Sequence, residues 1–196
     1  MVLGDVWLDF DPAAFVTTGL DVDDDLAFLV LLALQNRGHL NLVGVSVVAG
    51  NAALRDTLDN ARRLLRYAGI DLEPAAGASW RDVHVPWPWV RRLHQVRGDV
   101  ASSPDAAAAM RAEILARPPQ TLTIIALGPL TNIAAVLRDD AVAGRVRRVV
   151  YGRRDPAHGG LGSVESVHTL SSTNHRFRAW RHDPDWRLVD GLVDDD

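Results

Sequence analysis

The chain has 196 residues, 47% apolar and 23% charged, which suits one globular domain with a sizeable core and argues against disorder. A net charge of -4, with every basic residue an arginine, gives no reason to expect nucleic-acid binding. The lack of cysteine excludes disulfides, zinc-thiolate sites and thiol nucleophiles. The first residues carry Asp5 and Asp9 and no basic region, so no signal peptide is expected. The longest apolar run, Leu26 to Leu34, is far below the roughly 20 residues that span a bilayer. The expectation is therefore a cytoplasmic protein with no membrane partner.

Val6 to Leu8 is short, apolar and partly β-branched, and reads as a buried strand. Asp9 and Asp11 follow at its carboxyl end, on one side because strand side chains alternate. In open α/β sheets that end is where ligands bind. From about Asp24 the apolar spacing becomes helical, so Asp21, Asp23, Asp24 and Asp25 crowd a helix start. The helix dipole favours anions there by about 1 kcal/mol at most. Two carboxylates about 4 Å apart repel by roughly 4 kcal/mol at an effective dielectric near 20. Either some of these acids face water or a cation sits among them. Asp21 and Asp25 are read as capping, solvated acids. The Asp9-x-Asp11 pair is read as a hard-cation site, which oxygen-only ligation would make Ca²⁺ or Mg²⁺.

Leu42 to Val48 predicts a second strand, ending at Gly50-Asn51 beside the first. Asn51 is a turn residue or, slightly favoured, a ligand-facing one. Leu54 to Ala68 predicts a helix stopped by Gly69, and Glu73 to Gly77 a short strand. Between Trp80 and Gly98, Pro86 and Pro88 prevent a regular helix. Pro104 to Arg117 predicts a helix with Ala107, Met110, Ile114 and Leu115 inward. Thr121 to Ala126 predicts a strand, then a Gly128-Pro129 turn, then a helix capped by Thr131-Asn132. Val146 to Tyr151 predicts another strand. Strands alternating with amphipathic helices indicate an α/β fold, an open, mostly parallel sheet with helices on both faces.

Asp9-Phe10-Asp11-Pro12, Asp23-Asp24 before Leu26-Ala27-Phe28, and Leu127-Gly128-Pro129-Leu130-Thr131-Asn132-Ile133-Ala134 together resemble the inosine/uridine-type nucleoside hydrolases. Gly50-Asn51 and Asn60-Ala61 resemble that family's second motif. Residues 13–22 are a loop insertion between the two halves of the first motif. The resemblance is strong over 6–151 and weak over 152–190, within a single domain of residues 1–196 shortened at its C-terminal end. Tyr151-Gly152-Arg153 stands where the family has a Met-Gly-Gly turn, and the ribose-holding Glu-Phe-Asn is not found near Asn174 to Pro184. His182-Asp183 superficially resembles the family's late His-Asp pair, although an Asp-Pro helix suits its position better.

The resemblance implies hydrolysis of a ribonucleoside's N-glycosidic bond by a Ca²⁺-activated water, through an oxocarbenium-like state. It implies Asp9, Asp11, Asp24 and the Leu127 carbonyl as metal ligands and Asp11 as general base. Asp23, Asn51 and His94 would face the substrate, a small nucleoside. The incomplete ribose site implies slow turnover or none, unless a second subunit of a homo-oligomer supplies the missing groups. Two other readings stand beside this one. One is a non-catalytic descendant with a weak metal or ribose site. The other is a haloacid-dehalogenase-type phosphohydrolase, which also opens on a strand and Asp-x-Asp but usually needs a lysine that this chain lacks.

Overall fold

A computed structural model describes residues 4–14, 22–79, 103–154 and 165–171. Their strands are β1 (Gly4–Phe10), β2 (Leu40–Val47), β3 (Ala75–Ala76), β4 (Leu122–Ala126), β5 (Arg148–Arg154) and β6 (Glu165–Ser171). The helices are α1 (Asp23–Asn36), α2 (Leu54–Ala68), α3 (Ala106–Ala116), α4 (Thr131–Leu137) and α5 (Asp140–Ala143). The strands form one sheet in the order β3-β2-β1-β4-β5-β6. The first five are parallel and β6 runs antiparallel to β5.

Strand alternation explains why helices cover both faces. Val6, Leu8 and Phe10 of β1 pack with Phe28 and Leu31 of α1 and with Leu58, Leu64 and Leu65 of α2. Trp7, between them in sequence, packs on the opposite face with Met110 and Ile114 of α3 and Ile133 of α4. The Phe10 and Phe28 rings stack with centroids 6.2 Å apart, a pair worth about 0.5–1.5 kcal/mol beyond area burial. Trp7 needs room that an ordinary ladder would deny. The β1–β2 register shifts between Val6 and Trp7, setting Gly44 under the indole. A Cβ on Gly44 would lie 2.2 Å from the Trp7 ring.

The helix bounds follow local chemistry. α2 ends at Gly69, which takes the left-handed conformation with φ 68° and turns its N–H back to the Arg66 and Leu65 carbonyls. In α3 the Asp105 carboxylate accepts from the Ala108 N–H. Met110 and Ile114 of that helix are buried as its spacing predicts, but Leu115 is exposed and Ala106 takes the inward place. The expected turn at Tyr151-Gly152-Arg153 is instead strand: β5 continues to Arg154 and pairs with β6 along its length. No helix among the described residues is long and apolar enough to cross a membrane.

The chain leaves β1 toward β2 and β3 on one side, then returns to β4 and β5 on the other. Ligands of open α/β sheets bind in the crevice outside the carboxyl ends at such a reversal. Asp11, Asn51 and Leu127 come after β1, β2 and β4, neighbouring parallel strands, and so share that edge.

Candidate active site

Asp11 lies one residue past β1, and its carboxylate is almost wholly enclosed. Oδ2 accepts the Asn51 N–H at 2.6 Å. Two glycines make the space around it. A Cβ on Gly50 would lie 2.0 Å from Oδ2, and one on Gly128 would lie 2.6 Å from Oδ1. The turns after β2 and β4 therefore form a cradle in which no side chain but hydrogen can stand. Asn51 also bridges to α1, its amide nitrogen 3.5 Å from Oδ2 of the buried Asp24.

Asp9 sits deeper, fully buried on the α4 side of β1. Its Oδ1 accepts from Ser46 at 2.5 Å and from the Asn132 amide at 2.8 Å. Ser46 in turn accepts from the Trp7 indole at 2.8 Å. Oδ2 is buried with no hydrogen-bond partner among the described residues. Burial pushes the Asp9 carboxyl up to about 7, against the pull of the Asn132 and Ser46 hydrogen bonds.

Asn132 does not cap α4 as its sequence position predicts. The residue before the helix is Leu130, with no side-chain cap. Asn132 points inward instead, donating to Asp9 and to the Val47 carbonyl at 3.1 Å and accepting the Ala78 N–H at 2.9 Å. A Cβ on Gly77 would collide with it at 2.2 Å. The buried hydrogen bonds outcompete a cap that water could replace.

Asp25 corrects a second expectation. It is buried rather than solvated, because its Oδ2 accepts the N–H groups of Ala13 and Ala14 at 3.3 and 3.2 Å. Burial raises its carboxyl above the usual range. Asp23, the first residue of α1, is exposed. Asp21 and His94 lie outside the described residues.

Asp11, Asp24 and Asn51 thus meet at one edge, with Leu127 just past the neighbouring strand. Among the described residues no three His, Asp or Glu side chains are placed to hold a metal ion. Of the expected ligands, Asp9 is held at Oδ1 by Ser46 and Asn132. Sequence reasoning missed Ser46 and the inward turn of Asn132. A polar residue inside an otherwise apolar strand was the available signal for Ser46.

Residues 6–152 match the family described as inosine-uridine preferring nucleoside hydrolase. The chain is 32% identical over 146 residues to uridine nucleosidase 1 of Arabidopsis thaliana, covering 69% of this chain and 43% of that protein. It is 30% identical over 145 residues to the non-specific ribonucleoside hydrolase RihC of Escherichia coli, covering 67% and 42%. Its fold is similar to that of a purine-preferring ribonucleoside hydrolase from Gardnerella vaginalis, with TM-score 0.55 and 19% identity over 76% of this chain and 48% of the other. The chain spans less than half the length of the curated relatives it matches. A strand-end aspartate in a glycine cradle, in a sheet of this order and a sequence that matches over all five parallel strands, leads to one assignment: the chain belongs to the inosine-uridine preferring nucleoside hydrolase family.

Proposed function

We propose that the chain acts on ribonucleosides, hydrolysing the bond between ribose and base, with Asp11 as the general base. The observation that carries this reading is the Asp11 carboxylate, held in the Gly50–Gly128 cradle at the reversal of the sheet. Its Oδ1 faces Gly128 and its Oδ2 is fixed by the Asn51 N–H. So held, it would take the proton of a water attacking the anomeric carbon.

The donor chemistry of the crevice fits a hard cation. Asp11, Asp24 and the Leu127 carbonyl would hold Ca²⁺, an all-oxygen set of two carboxylates and a carbonyl completed by water. Calcium bound there would lower the pKa of a coordinated water and gather ribose hydroxyls. Asp9 would brace the site from behind. Exposed Asp23 at the mouth of α1 would accept a ribose hydroxyl, Asn51 would orient the sugar, and His94 would contact the substrate. A cytoplasmic nucleoside-salvage protein is the setting this chemistry suits.

A second reading is a non-catalytic relative that keeps a weak metal or ribose site. The sequence from Asn174 to Pro184, which shows no Glu-Phe-Asn, favours it. Losing hydrogen bonds that strengthen in the transition state lowers rate as well as affinity. Two or three charge-assisted bonds at roughly 1.5–3 kcal/mol each correspond to about 10³- to 10⁶-fold. The family match sets the phosphohydrolase reading aside.

Ribose release from inosine, uridine and a nitrophenyl riboside, with Asp11→Asn as the blank, decides between the first two. Slow release that Asp11→Asn abolishes supports the hydrolase. Equal signals from both proteins refute it. Turnover near 1 s⁻¹ or faster, the low end of typical enzymes, would show that the missing ribose groups are supplied some other way.

A further inference from the structure

β1 ends at Phe10, the last residue of its ladder with β2, so strand pairing does not itself fix Asp11. The turn after Asp11 is held by side chains from two helices on the same face of the sheet. The Asn60 amide, from α2, donates to the Pro12 carbonyl at 2.8 Å. The Asp25 carboxylate, from α1, accepts the next two N–H groups, those of Ala13 and Ala14. Three consecutive residues after Asp11 are thus gripped at carbonyl, amide and amide.

Both gripping side chains are costly where they stand. Asn60 is 3% exposed and Asp25 is 7% exposed. Asp25 Oδ1 has no hydrogen-bond partner among the described residues. An enclosed carboxylate with an unsatisfied oxygen destabilises a fold unless its other contacts matter. Both side chains hold the backbone that follows Asp11, and through it they act on Asp11.

We infer that Asp25 and Asn60 are positioning residues that clamp the Pro12–Ala14 turn and thereby set where Asp11 presents its carboxylate. The inference rests on Asp11 being the reacting group, as proposed above. Without the clamp Asp11 would keep its chemistry and lose its register with Gly50, Gly128 and the Asn51 N–H. Rate and ligand affinity are sensitive to such displacements of about 1 Å.

Residue-resolved amide exchange on the whole chain tests this without requiring a ligand. The Ala13 and Ala14 amides report the clamp, and the Asn51 amide, donated to Asp11 Oδ2, reports Asp11 itself. In Asp25→Ala all three should exchange about ten- to a hundredfold faster, while amides of β4 and of α1 beyond its first turn hold their protection. Asp25→Asn, which keeps an acceptor oxygen, should restore most of the protection. Asn60→Ala should accelerate Asn51 in the same direction. If Asp25→Ala does not fold, Asp25→Asn and Asn60→Ala decide. Faster exchange at Ala13 and Ala14 with Asn51 unmoved overturns the inference, as does unchanged exchange at all three. A Ca²⁺ titration of the same proteins separates the two questions. No response of the wild-type chain to calcium would count against the metal reading alone, because the Asn51 result stands without it.

Discussion

Two aspartates on one strand show how differently the two edges of the sheet treat charge. Asp5 and Asp9 lie four residues apart on β1 and point to the same side. Asp5 is partly exposed, with Arg117 as an ion-pair partner and the Asn41 amide at 2.9 Å. Arg117 also reaches Glu113, and Arg145 donates to the Arg117 and Leu115 carbonyls at the end of α3. At that edge charge meets opposite charge, and solvent reaches both. At the other edge Asp9 is buried and, among the described residues, accepts only from neutral donors, a hydroxyl and an amide. Pairing at the first edge serves stability at little cost. The second edge gives up stability to hold the Asp9 carboxylate away from solvent.

The largest effect should come from removing the neutral donor that serves Asp9. Asn132→Leu takes the amide from the buried Asp9 carboxylate and leaves the Ala78 N–H without its acceptor, while the Val47 carbonyl keeps the Gly77 N–H. A loss of roughly 4–5 kcal/mol is expected. That corresponds to a fall of about 10 °C or more in melting temperature for a chain of this size. A melting curve within about 2 °C of the wild type, at the low end of the shift from a single kcal/mol, would mean that water replaces the amide and that the edge is less sealed than Asp9 indicates.

Next comes pH. The folded Asp9 carboxyl titrates at about 7, above its ordinary value of 3.8. Between these values the folded state keeps a proton that the unfolded chain has lost. The contribution to stability is therefore whole below about pH 4 and is lost as pH rises through 7. On the order of 4 kcal/mol should disappear over that window. Urea melts in the presence of a calcium chelator should show the slope, and Asp9→Asn should flatten it. A slope that survives unchanged in Asp9→Asn would erase the contrast between the edges.

The glycine cradle gives a third effect, on function more than on folding. Gly50→Ala and Gly128→Ala each push a methyl group into the Asp11 carboxylate. Ribose release, where measurable, should drop about a hundredfold. Any calcium-induced rise in melting temperature should vanish, as in Asp11→Ala, while the chelated protein melts within a few degrees of the wild type. A retained calcium response in both glycine variants would mean that Asp11 does not need the space.

The smallest effect belongs to the first edge. Arg117→Ala removes pairs whose side chains are only 24–28% exposed yet still reached by solvent, and should cost about 1 kcal/mol or less, fading as salt is added. It should leave the calcium response unchanged.

The elements that rest on local periodicity were legible in the sequence. Leu54–Ala68 is helix within the bounds its apolar face and Gly69 predict, and the strands carrying Asp9 and Leu122–Ala126 fall where short β-branched runs place them. The polar interior was not legible. Asp25 reads as solvated because it stands among other acids, and its partners are backbone N–H groups, which leave no trace in a residue pattern. Asn132 reads as a cap because that is the cheapest local use of an Asn at a helix start, while its real partners lie in β1, β2 and the segment after β3. The Tyr151-Gly152-Arg153 stretch reads as a turn only if β5 stands alone. Pairing with β6 across a hairpin supplies the ladder that keeps it extended.

The long reach of the Asn132 amide also constrains how the protein is made. Its partner Asp9 precedes it by 123 residues. At about 5–20 residues per second, a ribosome needs roughly 6–25 s to add that much chain. Throughout that interval Asp9 is an ordinary carboxylate, hydrated and ionised, on a strand whose future neighbour β4 has not been synthesised. The site cannot be assembled piece by piece from the N-terminus. It closes in one event, when the segment that makes the central strand complete also delivers the amide that lets Asp9 leave water.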